Sequence, residues 1–568
     1  MTTDGPLAAL TAALQRHLDD RHPEAGLDAG RFVRRNDGGK NGDLQINVAF
    51  ALAKTLRTKP ADVAASIAAE LDAGPAFAAL EPSGPGFVNV TLADGWLADR
   101  VGTVAGGGAP LRPAPDAEPV LIDFSSPNVA KEMHVGHLRS TVIGDTLSRV
   151  YEARGSTVDR VSHVGDWGTQ FGMLIEFLFE SGEGADADPS DLNGFYRDAK
   201  ARFDADEEFK DRARKRVVAL QSGDPETRAA WSTLCDASRA SFQSLYELMR
   251  VDVHEVGEST YEDDLVAVLT DLDAAGLLQV DDGAKCVFPP GFANRDGDPL
   301  PVIVQKADGG FNYDTTDLAA VRRRVAGGTK RILYVVDHGQ SQHFAMVFAV
   351  ARMAGWIPDD VVVEHIPFGL VLGEDGKRLR TRSGESVPLK LLLEEAVDAA
   401  GRLLAEHDGD PSHAQSVGIS AVRYAELAHN RMTNYEFSLD KMVSMQGNTA
   451  PYLLYAHARM HGVLRAVAEQ ADAERTDGPA LEGASRALAS RLADLPDVVD
   501  GVATGYTPND LCEYLFELSQ AFNRFYEERR VIGLDGRVDT GALALVQATA
   551  ATIAAGLELL GVEPLDRL

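Results

Sequence analysis

His134 and His137 stand three residues apart with Gly136 between them, in the stretch SSPNVAKEMHVGHLRS (residues 125–140) that follows the apolar run PVLIDFS. Three chemistries suit this pair. Imidazoles ligate metals, they pack or cap at a helix start, and they hydrogen-bond to the phosphates of a nucleotide. Zinc would need one or two further ligands converging on the pair. His163 and His338 also follow apolar runs and could supply them, yet no HExxH or paired-cysteine spacing is present. A nucleotide is favoured by position, because the pair lies between a strand and a helix, where free N–H groups and the positive dipole end face a ligand. Gly136 removes a side chain where a flat group could lie against the backbone. HxGH by itself is a short pattern, and a purely structural histidine pair also accounts for it.

The elements that must position these residues follow from the pattern of the chain. Residues 1 to about 112 suggest a small α+β unit, with helical spacing in NVAFALAKTLRTKPADVAASIAAEL interrupted at Pro60 and strand alternation in GFVNVTL. The Gly/Pro-rich segment GGGAPLRPAPDAEP, residues 106–119, reads as a linker. From 113 to 389, strands and helices alternate: PVLIDFS, VDRVSHVG, PVIVQK, RILYVVD and VVVEHIPF are the strands, which predicts a doubly wound, Rossmann-like parallel sheet. A polar helical stretch from about 185 to 285 reads as an insertion in it. From 390 to 568 only helices are expected, in an all-α bundle.

Bulk properties narrow the class. A chain of 568 residues with 45% hydrophobic and 25% charged content is a globular protein of several domains. The net charge of −31 opposes indiscriminate nucleic-acid binding and leaves local basic patches as the RNA candidates: RARKR at 212–216, RRR at 322–324 with KR at 330–331, and GKRLRTR at 376–382. Each also reads as a solvated helix face or loop. Cys235, Cys286 and Cys512 form neither a CxxC pair nor a disulfide framework, so a reducing cytoplasm and no structural metal are expected. The most apolar stretch, ALALVQATAATIAAGLELLGV, is interrupted by Gln547, Gly556 and Glu558 and reads as a buried helix, so no membrane partner is expected.

Longer strings carry a resemblance. SSPNVAKEMHVGHLRSTVIGD, GDWGTQFGML, FNYDTTDLAA, GKRLRTRSGE and GNTAPYLLYAHARM, in this order, resemble the arginyl-tRNA synthetases, a class I aminoacyl-tRNA synthetase family whose HIGH motif HVGH matches. The resemblance implies activation of L-arginine with ATP and Mg2+, release of pyrophosphate, transfer of arginine to the 3′ end of tRNA(Arg), and adenylate formation only when tRNA is present. It implies a monomer. For ATP it implies His134, Gly136, His137, Lys131, Lys377, Arg378 and Arg380, with His134, His137, Lys131 and Lys377 catalytic. For arginine it implies Asp123, Asn128, Tyr313, Asp317 and, with a one-residue slip, Gln342; two carboxylates at strand ends suit a planar guanidinium.

For tRNA the resemblance implies Phe87 and Asn89 in the N-terminal domain, and Tyr455, Arg459 and Tyr526 in a C-terminal anticodon-binding domain. Aromatics at such spacing also suit a plain core. The basic loop departs from the KMSKS pattern of the class: Arg378, Leu379, Arg380 and Thr381 take its first four positions, so the second lysine is missing and Lys131 is expected to replace its charge. KMVSM at 441–445 only superficially matches that pattern. Two other classes remain open at this point: a small-acid ligase of related fold, which would not need the outer domains, and a non-catalytic RNA-binding relative, which would be expected to lose the histidines.

Overall fold

The computed structural model describes residues 5–36, 41–114, 117–181, 192–373, 375–380, 386–470, 472–477 and 481–568. At its centre is a parallel sheet built from β1 (Val120–Asp123), β2 (Val158–Val164), β3 (His254–Gly257), β4 (Arg331–Tyr334) and β5 (Val362–His365), in the order β5-β4-β1-β2-β3. Every residue of β1 is buried, as expected of a central strand covered on both faces. Val120 and Ile122 pack with helix α1 (Val135–Ala153), whereas Leu121 packs with the apolar residues of α3 (Tyr313–Ala326) and α4 (Ser341–Met353). Helix α2 (Thr169–Ser181) follows β2. The alternation of side chains along one strand therefore serves two helical layers.

Two expectations are corrected here. PVIVQK does form a strand, Val302–Gln305, but it pairs antiparallel with Ala284–Val287 in a separate three-stranded sheet. The fifth parallel strand is β3, inside the segment read as a polar helical insertion. It is an edge strand whose HEVG sequence is partly exposed, so no apolar run announced it. The rest of that segment is largely helical, with helices Leu192–Ala205, Glu207–Gln221 and Pro225–Leu248.

Before the parallel sheet, strands 33–35, 44–46, 87–92 and 77–83 form an antiparallel sheet against short helices. After it come helices α5 (Leu389–Glu406), α6 (Ala414–Ala428), α7 (Ala450–Glu469), α8 (Gly483–Leu492), α9 (Leu495–Gly505), α10 (Pro508–Glu528) and α11 (Thr540–Leu559). This region is not free of strands: Tyr435–Glu436 pairs with Val371–Leu372, and Arg475–Thr476 pairs with Val538–Asp539. Among the described residues α11 alone is long and apolar enough to cross a membrane, and most of it is buried in the protein.

The parts are joined by apolar packing and by buried charge. One continuous core runs from Leu10 through Leu138 and Leu147 of α1 to Leu453 and Phe525. Arg139 of α1 meets Glu426 of α6 at 3.2 Å, and Arg423 meets Asp145 at 2.6 Å, all four side chains being at most 1% exposed. Such pairs fix how two elements meet, because removal of one partner strands the other in the interior. The N-terminal unit docks on α8 and α9, where Arg486 binds Asp43 and Asp94, and Asp497 accepts from the backbone N–H groups of Leu7 and Ala8.

Candidate active site

The carboxyl ends of β1, β2 and β4 open into a cavity of about 420 Å³. The backbone leading out of β1 is strained there: Ser125, Ser126 and Ala130 all have positive φ, at 69°, 47° and 62°. Three hydrogen bonds hold the turn, from Ser125 N–H to Ser140 Oγ, from Ser126 Oγ to Asp123 and from Ala130 N–H to Ser238 Oγ. Strain of this kind persists only where the surroundings impose it. Its consequence is that Asn128 lies beside Gly165, where an added Cβ would stand 2.6 Å from Asn128 Oδ1. The first glycine of GDWGTQFGML is thus explained by the asparagine it accommodates.

His134 and His137 close the amino end of α1 on each other. His134 Nδ1 accepts from Gly136 N–H, and His137 Nδ1 accepts from His134 N–H, each at 3.0 Å. This is a reciprocal capping box made from two imidazoles. A Cβ on Gly136 would come within 2.7 Å of the His134 ring, so the cap itself requires glycine. Burial, then the Arg378 cation, lowers the His134 pKa, and burial with the neighbouring His134 takes His137 down to about 3. Both rings are therefore neutral near pH 7, with Nδ1 used as acceptor and Nε2–H left to donate. The histidines enter the site as oriented donors and not as cations. Their Nδ1 atoms are spent on the cap, and among the described residues His134, His137, His163 and His338 do not form a metal-ligand group.

The other end of the cavity is anionic. Asp317 meets His343 Nε2 at 2.6 Å, and Asp314 meets His343 Nδ1 at 3.1 Å. Burial opposes charge on His343, but its bonds to Asp314 and Asp317 prevail and hold its pKa up at about 9. Glu258 lies one residue beyond β3; burial, with Asp317 and Asp166 nearby, pushes its carboxyl up to about 7. An acid so placed favours a cationic ligand, whose charge would restore its ionised form. Asp123 differs, because its charge is already met by buried Arg324 at 2.7 Å. Arg324 belongs to the RRR cluster read as a possible RNA patch; its neighbours Arg322 and Arg323 are likewise paired, with Asp271 and Asp264.

Of the residues named from sequence, the cavity brings together Asp123, Asn128, His134, Gly136, His137, Tyr313, Asp317 and Arg378. Gln342 is exposed and outside the lining; Gln340, in the turn before α4, faces the cavity instead. Lys131, Lys377 and Arg380 do not line it either. Lys131 Nζ lies 4.5 Å from the centre of the Tyr196 ring, a cation–π contact that turns it toward the inserted helices. Lys377 is exposed. Thr381 lies outside the described residues. Glu258, His343 and Gln340 were not found from sequence; each depends on chain segments that only the fold brings together.

Comparison with known proteins decides the family. The catalytic-domain model of class I tRNA synthetases (R) matches residues 110–439, more than half of the chain. The chain belongs to the arginyl-tRNA synthetases. The family's N-terminal domain matches residues 8–92 and the DALR anticodon binding domain residues 453–568. An arginine–tRNA ligase of Picosynechococcus sp. is 48% identical over 581 residues, covering 99% of each chain, and one of Synechococcus sp. CC9605 is 49% identical over 588 residues, covering 99% of this chain and 98% of that one. The crystal structure of the Plasmodium falciparum arginyl-tRNA synthetase aligns with a TM-score of 0.85 over 100% of both chains at 27% identity. The Thermus thermophilus arginyl-tRNA synthetase has a TM-score of 0.81 at 24% identity, covering 99% of this chain and 100% of that one, a likeness of fold.

Proposed function

We propose that the two ends of the cavity divide the substrates of this arginine–tRNA ligase. The guanidinium of L-arginine lies between Glu258 and Asp317, beside Tyr313, with Asn128 and Gln340 oriented toward the amino acid. His343 holds Asp317 in place, and Asp123 with Arg324 forms the floor. ATP lies over Gly136, with His134 and His137 donating from Nε2 and Arg378 supplying the cation. The arginine carboxylate oxygen attacks the α-phosphorus, pyrophosphate leaves, and arginyl-adenylate forms. The terminal ribose hydroxyl of tRNA(Arg) then attacks the carbonyl, and AMP leaves. No protein nucleophile is required; fixed donors at developing negative charge supply the catalysis.

The observation that carries this reading is one cavity with an uncompensated carboxylate at one end and a helix amino terminus with two oriented imidazole donors at the other. Among the described residues, the ATP end offers donors and no set of oxygen ligands for a metal. Mg2+ would therefore arrive on the ATP phosphates, whose charge it neutralises.

For the RNA, the division 1–112, 113–389 and 390–568 assigns the outer parts to tRNA. Arg459 stacks over the Tyr526 ring at 5.2 Å, and Tyr455, Arg459, Arg465, Arg567 and Leu568 line a cavity of about 580 Å³ that suits a splayed nucleotide. In the N-terminal sheet, half-buried Phe87 packs edge-on to exposed Phe50, while Asn89 is buried and accepts from Gln45, so the exposed part is the Phe50 and Phe87 edge. This side is a smaller surface for a tRNA base. The three cysteines are free and buried, which suits a cytoplasmic, reducing setting, and a monomer completes the reading. Aminoacylation of total tRNA with each amino acid in turn is the test. Esterification of arginine alone is expected; an enzyme inactive with arginine would overturn the assignment.

A further inference from the structure

Helix α7 places His457 and His461 one turn apart on one face, against the chain's last residues. His457 is 2% exposed. Its Nδ1 donates to the carbonyl of Leu565 at 2.9 Å, which fixes the tautomer and leaves a lone pair on Nε2. That Nε2 is buried and has no hydrogen-bond partner. The ring of His461 lies 4.5 Å away, centre to centre, and its Nε2 is 3.3 Å from Asp566 Oδ1. One ligand atom from each of His457, His461 and Asp566 falls within 4.8 Å of the other two.

These features fit a metal better than a plain ion pair. An His–Asp pair explains His461 and Asp566 but leaves the buried Nε2 unsatisfied, a state that native proteins avoid. Two nitrogen or oxygen ligands held about 2.0–2.1 Å from a tetrahedral zinc ion stand roughly 3.3 Å from each other, which is the spacing already present between His461 and Asp566. The Leu565 carbonyl that orients His457 is the kind of outer partner that metal-bound histidines use. His461 and Asp566 have side chains 28% and 66% exposed, so they can close on the fixed His457 and leave a position for water.

We propose that His457, His461 and Asp566 bind one divalent transition-metal ion of the zinc type, which fastens the C-terminal tail to α7. The tail matters because Arg567 and Leu568 line the same cavity as Tyr455 and Arg459. Metal binding should therefore strengthen the grip on tRNA, a consequence that rests on the reading of that cavity given above.

Calorimetric titration of tag-free, metal-stripped full-length protein with zinc chloride tests the site. One saturable equivalent is expected, lost in His461→Ala and in Asp566→Asn; Asp566 is 66% exposed, so the metal-free melting temperature of Asp566→Asn should match the parent. Amide exchange at Leu565 to Leu568 should slow on zinc addition in the parent only. No saturable zinc binding, or equal binding by both variants, overturns the site. Zinc binding with unchanged tRNA affinity overturns only the coupling, whereas tRNA affinity unaffected by Tyr455→Ala overturns the reading of the cavity.

Discussion

The two ends of the active-site cavity reach their polarity by opposite routes. At the end proposed for ATP, His134, Gly136 and His137 make one another's hydrogen bonds within a single helical turn, and two neutral rings are aimed by the backbone they cap. At the end proposed for arginine, Glu258 follows β3, Asp317 belongs to α3 and His343 to α4, and the charge pattern exists only when these elements meet. One end is a local device that orients dipoles; the other is a tertiary device that leaves a carboxylate without a counterion. A nucleotide bound by dipoles and a guanidinium bound by charge should therefore respond differently to mutation and to pH.

The largest effect should come from Asp317. Asp317→Asn removes one partner of the largely buried His343 pair and one wall of the proposed arginine site, and disruption of a fully buried pair costs about 3–5 kcal/mol, an upper bound for this one. Arginine KM in pyrophosphate exchange, measured with tRNA present, is expected to rise roughly 10²–10³-fold while ATP KM stays within about twofold. Equal damage to both would mean that the two ends are not separate.

Arg378→Ala should lower kcat for adenylate formation by ~10², the scale for one transition-state contact, with arginine KM little changed. Lys131→Ala sharpens the point. With its ammonium over Tyr196, Lys131 is expected to matter less than Arg378. A loss as large as that of Arg378→Ala would show that the lysine leaves the ring when ATP binds and does replace the missing loop lysine.

Gly165→Ala probes the arginine end through Asn128 alone. The added methyl would have to displace the Asn128 carboxamide, at a cost of about 1–3 kcal/mol for crowding a packed site. Arginine KM is expected to rise about tenfold, with the melting temperature lowered by a few degrees. An unchanged KM would remove Asn128 from the substrate's contacts.

What the sequence disclosed follows the same division. The helix that His134 begins, the glycine it needs and the strand before it were legible because their interactions span only a few residues. Asp123, Asn128, Tyr313 and Asp317 came from resemblance, which gave positions without partners, so the prior claim of Arg324 on Asp123 was not visible. Gln342 was chosen where Gln340 faces the cavity, because the choice depends on where a short turn ends and α4 begins. Glu258 was missed because β3 was missed. Had HEVG been recognised as a strand at the sheet edge, the residue after it would have fallen on the same ligand-bearing edge as Asp123. The three ligand residues of the proposed metal site escaped for the same reason, since Asp566 meets His461 only after the bundle closes.

The smallest effect separates charge from dipole most cleanly. Glu258 has its pKa raised to about 7 by burial and by Asp317 and Asp166, and a bound guanidinium favours its ionised form. The sign follows directly: a group that must lose a proton to bind its ligand weakens binding as pH falls through its free-state pKa. Arginine affinity should thus be nearly flat from pH 7.5 to 8.5 and decline below pH 7, approaching about tenfold per pH unit, with uptake of one proton by the free enzyme. His343, held at about 9 by Asp314 and Asp317, stays charged below pH 7 and contributes no slope to that decline. ATP affinity should show no matching decline from the enzyme's side, because His137 stays neutral down to about 3 and burial lowers His134 as well. Glu258→Gln should weaken arginine binding at pH 8 and abolish the slope between pH 6 and 7. A slope that persists in that variant would assign the titration to another group and break the distinction drawn between the two ends of the cavity.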